Sequence, residues 1–208
     1  LSAPNDLELE RVFTEARFSL DIMLKLESYL EENTIPLAVR SSSLLEDSQY
    51  QPLAGTYATF MLPNNQTTIK ERLYHLLSTI KLIYASTFKG DAKTLLANTA
   101  HRIEEEKMAV IIMEIAGQEY SSGRYNPTIS GVLKSINYYP VSYMTRNEGV
   151  AYLALGFGKT IVDGGKCLRV SPQYPNIQPQ FYSTRSTLQN SQNMFYGLNP
   201  TTEIKENF

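Results

Sequence analysis

Arg40 opens a run of hydroxyl residues, Ser41-Ser42-Ser43, directly after the apolar stretch Leu37-Ala38-Val39. Glu46 and Asp47 follow, then Gly55 and Thr59. A short apolar stretch reads as a buried strand, and this one ends by delivering a guanidinium into a cluster of hydroxyl groups. Such donors suit a phosphate, because arginine presents a planar fork that pairs two phosphate oxygens at once. A surface arginine opening a polar loop has the same residue types, and spacing alone leaves both readings open. Ser41 and Ser42 are equally double-valued, since serine side chains also bond local backbone and organise turns. Glu46 and Asp47 offer the oxygen ligands that magnesium prefers, but adjacent acids on a loop are more often a solvated turn or partners for a nearby arginine.

Other reactive residue types carry less. His75 falls in an expected helix and His101 just after the next, and neither has a second His or Cys at metal-ligand spacing. Cys167 has no identifiable histidine partner and reads as a small buried thiol. Gly156-Phe157-Gly158-Lys159-Thr160 imitates the end of a P-loop, but the first glycine of that motif would fall at Leu153. The residues that follow, 161–165, read as strand and turn where a P-loop requires a helix. These residues exclude a Walker site. No catalytic residue and no metal ligand is assigned.

The elements that position these residues follow from periodicity. Residues 7–32 carry apolar positions at helical spacing without Gly or Pro, which predicts one long amphipathic helix. Pro36 starts the strand that ends at Arg40. Residues 56–62 alternate as a second strand, stopped by Pro63 and the Asn64-Asn65 turn. A helix is expected over about 67–88, broken at Lys89-Gly90-Asp91, with a further turn or two over 92–100. Residues 108–115, 128–135 and 150–155 read as strands. From about 176 to 208 the chain is rich in Gln, Asn, Ser and Tyr without a steady period, which predicts an irregular, loosely held polar extension. Helices mixed with antiparallel strands, without regular strand–helix alternation, point to an α+β fold rather than a doubly wound sheet.

Composition bounds the rest. The chain has 208 residues, enough for one sizeable core or two small lobes. A formal charge of −2 gives no basic footprint for nucleic acid. A single cysteine excludes an intramolecular disulfide and fits a reducing compartment. There is no apolar run of eighteen residues to span a membrane. The sequence begins at Leu1 without an initiator methionine or a signal-like segment, so it is expected to be a piece of a longer protein.

Several ordered blocks together carry a family resemblance. Val39-Arg40-Ser41-Ser42, Glu46-Asp47 and Ala54-Gly55 with a threonine soon after form the first. The hydrophobic strand 108–114 and Ser130-Gly131-Val132 follow, then the glycine loop 155–165 and Arg169-Val170-Ser171-Pro172. Over roughly residues 36 to 175 the chain resembles the nucleotide-binding domain of the phosphoenolpyruvate synthase and pyruvate phosphate dikinase family. The resemblance implies a partial ATP-grasp-like domain, with a mixed or antiparallel sheet and flanking helices, over 1–175. In such a fold nucleotide lies between two lobes. Arg40 is implied as a phosphate contact, with Ser41 and Ser42 beside it. Ala54-Gly55 resembles the loop that folds over phosphates, and Thr59 stands where the family has a phosphate-contacting threonine. Thr59 is equally explained by β-propensity. Met113 departs from the family, which often has glutamine near the adenine; a thioether packs against a purine but accepts hydrogen bonds weakly. Lys159, in the glycine loop, is implied as a neighbour of phosphate, against the reading of a solvated lysine.

The implied function is the ATP-binding portion of a phosphoenolpyruvate synthase (pyruvate, water dikinase)-like enzyme. In that family ATP phosphorylates a histidine on a separate swivelling domain, and a barrel domain passes the phosphoryl group to pyruvate. ATP and Mg2+ are the implied cofactors, with magnesium ligands expected outside these residues. The partners are the phosphohistidine and pyruvate-binding domains of the parent chain, and the compartment is cytoplasmic. The family's lysine is expected before Leu1, and its closing Glu…Gln-x-Arg-Pro segment after Phe208, so these residues alone are expected not to complete a cycle. A nucleotide-sensing or interaction module with the same fold, or a related phosphotransferase with another acceptor, is the alternative.

Overall fold

A computed structural model describes residues 5–43, 57–97, 107–141 and 143–199. Glu46, Asp47, Gly55 and His101 lie outside the described residues. The chain divides into two compact units, the first running through Ile115 and the second spanning Ala116–Asn199.

The first unit opens with α1 (Asp6–Glu15) and α2 (Leu20–Glu32) where one long helix was expected. The break lies at residues 16–19. Ala16 and Ser19 are both extended, and the Ser19 hydroxyl accepts from the Ile22 N–H to start α2. Contacts with α3 (Ile69–Ser86) explain the division. Lys81 Nζ donates to the Thr14 carbonyl at 2.8 Å and lies over the Phe18 ring, between the two helices. Phe13 stacks on Phe88, and Glu10 pairs with Lys89 at 2.9 Å. Both helices pack on α3, and an apolar period without Gly or Pro does not reveal that tertiary demand.

Three antiparallel strands, β1 (Leu37–Ser43), β2 (Thr59–Leu62) and β3 (Met108–Glu114), form a sheet in the order β2-β1-β3. Because side chains alternate between faces, Leu37, Val39, Phe60 and Leu62 enter a core with Leu30 of α2 and Leu73, Leu76, Ile80 and Ile83 of α3. Thr68 and Glu71 cap α3 with a reciprocal capping box. Gly90–Ala97 forms α4. Asn64 holds the turn after β2 in the left-handed region at φ 54, where asparagine is tolerated, and its Nδ2 donates to the Asn33 and Ile35 carbonyls at 2.9 Å.

In the second unit a short hairpin, β4 (Gln118–Glu119) with β5 (Tyr125–Asn126), precedes an antiparallel sheet of β6 (Ile129–Lys134), β7 (Val150–Leu155) and β8 (Leu168–Val170). The fold is α+β. Three details differ from expectation. Lys159–Val162 forms a one-turn helix, α5, rather than strand, stabilised by the Lys159–Asp163 ion pair at 2.9 Å one turn apart. The three-residue β8 is too short to show a period of two.

The third difference is in residues 176–199, which are not loosely held. Thr184–Asn190 forms α6, capped by Ser183. Gln180 accepts from the Arg169 N–H at 2.7 Å and donates to the Cys167 carbonyl at 3.1 Å. Gln192 brackets the Leu155 peptide, accepting from its N–H at 2.8 Å and donating to its carbonyl at 3.0 Å. Amide side chains, not an apolar stripe, secure this segment, so hydrophobic periodicity did not register it.

Candidate functional site

The register of the first sheet decides which side chains share a surface. Thr59, Arg40 and Ile111 stand directly opposite one another across β2, β1 and β3, and so do Met61, Ala38 and Met113. Ser42 is opposite Ala109. Directly paired residues point to the same face, and this face is opposite the one that packs on α3. It carries a polar row, Thr59 and Arg40, beside an apolar row, Met61, Ala38 and Met113. Adjacent rows are two residues apart, roughly 7 Å.

Four of the expected residues are therefore brought together: Arg40, Ser42, Thr59 and Met113. Arg40 is exposed, and its Nε reaches the Ser41 carbonyl at 3.4 Å. Met113 is 45% exposed, a large apolar side chain left in the open on an ordered strand. Ser41 is on the other face, 1% exposed and level with Leu37 and Val39 in the core-facing row. Lys159 belongs to the second unit, where it pairs with Asp163 and lies 5.8 Å from the centre of the Tyr196 ring. Glu114 points to the helix-covered face, as alternation requires; burial, and after it the Glu114 charge, raises the Tyr29 phenol above its ordinary pKa.

Met61 and Ile111 complete the open face and were missed. Their signal was present in the alternation of β2 and β3, but an apolar residue in a strand is ordinarily assigned to the core. Only the register places them on the opposite side.

The glycine loop after β7 has a local cause. Gly156 has φ 73, and a Cβ there would sit 2.5 Å from the Tyr196 carbonyl, which accepts from the Phe157 N–H at 3.1 Å. The loop thus needs glycine both for its left-handed backbone and for the close approach of residues 195–196.

The open face carries one guanidinium and two hydroxyls beside two thioethers and an isoleucine. Among the described residues no three His, Cys, Asp or Glu side chains gather to hold a metal. No helix among them is long and apolar enough to cross a membrane.

A family model described as pyruvate phosphate dikinase, AMP/ATP-binding domain, matches residues 5–207. The chain belongs to this family. No curated protein sequence matches it. As a pyruvate phosphate dikinase AMP/ATP-binding domain it is an ATP-grasp-like α+β domain whose ligand class is the adenine nucleotide. The match extends past the blocks at 36–175, taking in α1 and α2 at one end and α6 at the other.

Proposed function

We propose that this domain is the ATP-binding portion of a phosphoenolpyruvate synthase-like dikinase, which phosphorylates a histidine on a separate domain on the way to pyruvate. The observation that carries the reading is the pairing of Arg40 with Thr59 on the open face, one row from Met61 and Met113. Arg40 binds and orients phosphate through its fork. The hydroxyls of Thr59 and Ser42 donate to the remaining oxygens. The two thioethers cover the purine. Phosphoryl transfer in general depends on such positioning and on neutralising charge. Magnesium, when bound with the nucleotide, neutralises phosphate charge; no step at these residues is assigned to it. Gly55 is carried into this reading only by its resemblance to the family's phosphate loop. Ser41 supports the strand from the core side.

Met113 favours a second reading, a nucleotide-sensing module without transfer chemistry, because a thioether replaces the amide that would read the adenine edge. Transfer separates the two: the dikinase reading expects histidine phosphorylation by ATP in the parent protein, whereas a sensing module binds nucleotide without it.

The test is a titration of ATP into the chain carrying labelled Met and Ile methyl groups. The resonances of Met61, Met113 and Ile111 should move, while those of Ile80 and Ile83 in the core stay. Shifts confined to the second unit, or none at all, would sink the assignment of this face.

A further inference from the structure

Arg169 and Ser171 are two residues apart at the end of β8, and both leave a buried donor unanswered. The Arg169 guanidinium donates through Nη2 to Asn137 Oδ1 at 2.7 Å and to the Tyr139 carbonyl at 2.6 Å. Its Nε is buried with no hydrogen-bond partner, and so is the hydroxyl of Ser171, a residue only 1% exposed. Both line one cavity of about 30 Å³ within the second unit, together with Asn137, Met144 and Gln180. Buried polar atoms in folded proteins are nearly always satisfied, by protein or by a bound species, so two such atoms on residues lining one cavity point to an occupant of it.

The chemistry of the walls defines that ligand. The amide oxygens of the two side chains in the wall are already engaged. Asn137 Oδ1 takes the Arg169 bond and one from the Tyr139 N–H at 3.1 Å, and the Gln180 Oε1 takes the Arg169 N–H. What remains are donors: Arg169 Nε–H, the Ser171 hydroxyl, and the Asn137 amide, which otherwise reaches only the Met144 thioether at 3.9 Å. Among the described residues Arg169 makes no ion pair; its two acceptors are neutral oxygens. A cation taken partly out of water with only neutral partners calls for a counter-charge. The volume is that of roughly one water molecule, too small for phosphate or a carboxylate-bearing metabolite.

We propose that this cavity is a binding site for a single halide-sized anion, held by Arg169 Nε–H and the Ser171 hydroxyl with the Asn137 amide beside them. The anion joins β8 to the turn at Asn137. It bears on the segment before α6 only through Arg169, whose backbone N–H donates to Gln180 Oε1 at 2.7 Å. This inference does not depend on the nucleotide reading, since all of its residues belong to the second unit.

The experiment is thermal unfolding of the whole 208-residue chain in sodium chloride or bromide against sodium gluconate at equal ionic strength. The wild-type midpoint should rise with halide concentration. In Ser171→Ala the same rise should require about tenfold more halide or higher, the loss of one hydrogen bond to a charged group. Equal midpoints in halide and gluconate, or a halide response unchanged by Ser171→Ala, would overturn the site. Crystals of the wild-type chain grown in bromide give an answer that does not depend on the variant. An anomalous peak within hydrogen-bonding distance of Arg169 Nε and Ser171 Oγ supports the proposal, and a fully occupied water there without anomalous signal overturns it.

Discussion

Arg40 and Thr59 are direct cross-strand partners of β1 and β2, on the face of the sheet that α3 leaves open. A threonine opposite an arginine adds little to folding, because an exposed cross-strand pair is worth a few tenths of a kcal/mol to about 1 kcal/mol. In the proposed function a phosphate sits over the pair and accepts from both.

Arg40→Ala should therefore weaken ATP binding by about tenfold or more, the worth of a hydrogen bond to a charged group, while the melting midpoint moves little. Arg40→Lys should also bind weakly, since lysine keeps the charge but not the planar fork. Calorimetry and thermal melting on the same samples separate the alternatives. A stability loss with unchanged ATP affinity would make Arg40 a structural residue.

Arg72 and Asn64 form the clamp that joins α2 to α3. The Arg72 Nε donates to Asn64 Oδ1 at 2.9 Å, and its Nη2 donates to the Leu30 carbonyl at 2.6 Å and to the Asn33 carbonyl. These are carbonyls at the C-terminal end of α2, where a helix leaves acceptors unsatisfied and its dipole favours a cation. Arg72→Met should cost about 1.5–3 kcal/mol in urea unfolding. Asn64→Ala should cost roughly 1 kcal/mol more than Asn64→Gly, because only glycine adopts the left-handed backbone freely. Equal losses in the two Asn64 variants would mean the turn relaxes instead of holding its conformation.

The second-unit segment makes a kinetic forecast. Gln192 satisfies both backbone groups of Leu155, and Leu198 pairs with Tyr125 in both directions at 2.8 and 2.9 Å. The Leu198 and Phe157 amides should exchange with solvent as slowly as neighbouring sheet amides, and Gln192→Ala should speed the exchange of the Leu155 amide. Fast exchange throughout residues 180–198 in the wild-type chain would show that these bonds do not hold the segment.

How much of this was legible differs by residue. The core of the first unit follows from simple periodicity: Leu37, Val39, Phe60 and Leu62 alternate, and Leu73, Leu76, Ile80 and Ile83 recur at helical spacing. The same rule gave strands at 108–115, 128–135 and 150–155 with small errors at the ends. The opposite orientations of Ser41 and Arg40 are implied by alternation, yet a run of three serines after an arginine reads as a loop in which direction has no meaning. Only the pairing of Ser42 with Ala109 and Ser43 with Met108 shows that the strand continues to residue 43. The attachment of residues 176–199 was illegible for another reason. It depends on glutamine amides and on the backbone at Tyr196 and Leu198 matching particular peptide groups, a geometric coincidence that no composition or spacing encodes.

Tyr120 offers a titration that needs no ligand. Its phenol oxygen lies 2.9 Å from the Thr128 hydroxyl, and its pKa is lowered, first by that hydrogen bond and then by one with Gln118. A hydroxyl that donates to the phenolate stabilises the charged form, which moves the pKa down. Thr128→Val removes the donor with little change of volume, so the Tyr120 phenol should move back up toward its ordinary value. Carbon-13 spectra of ring-labelled tyrosine resolve this residue among the fourteen in the chain. The sign follows from the charged form, which can only accept: without Thr128 the phenolate loses a donor, and more alkaline solution is required to form it. An unchanged Tyr120 titration in Thr128→Val would remove the cause assigned to the shift.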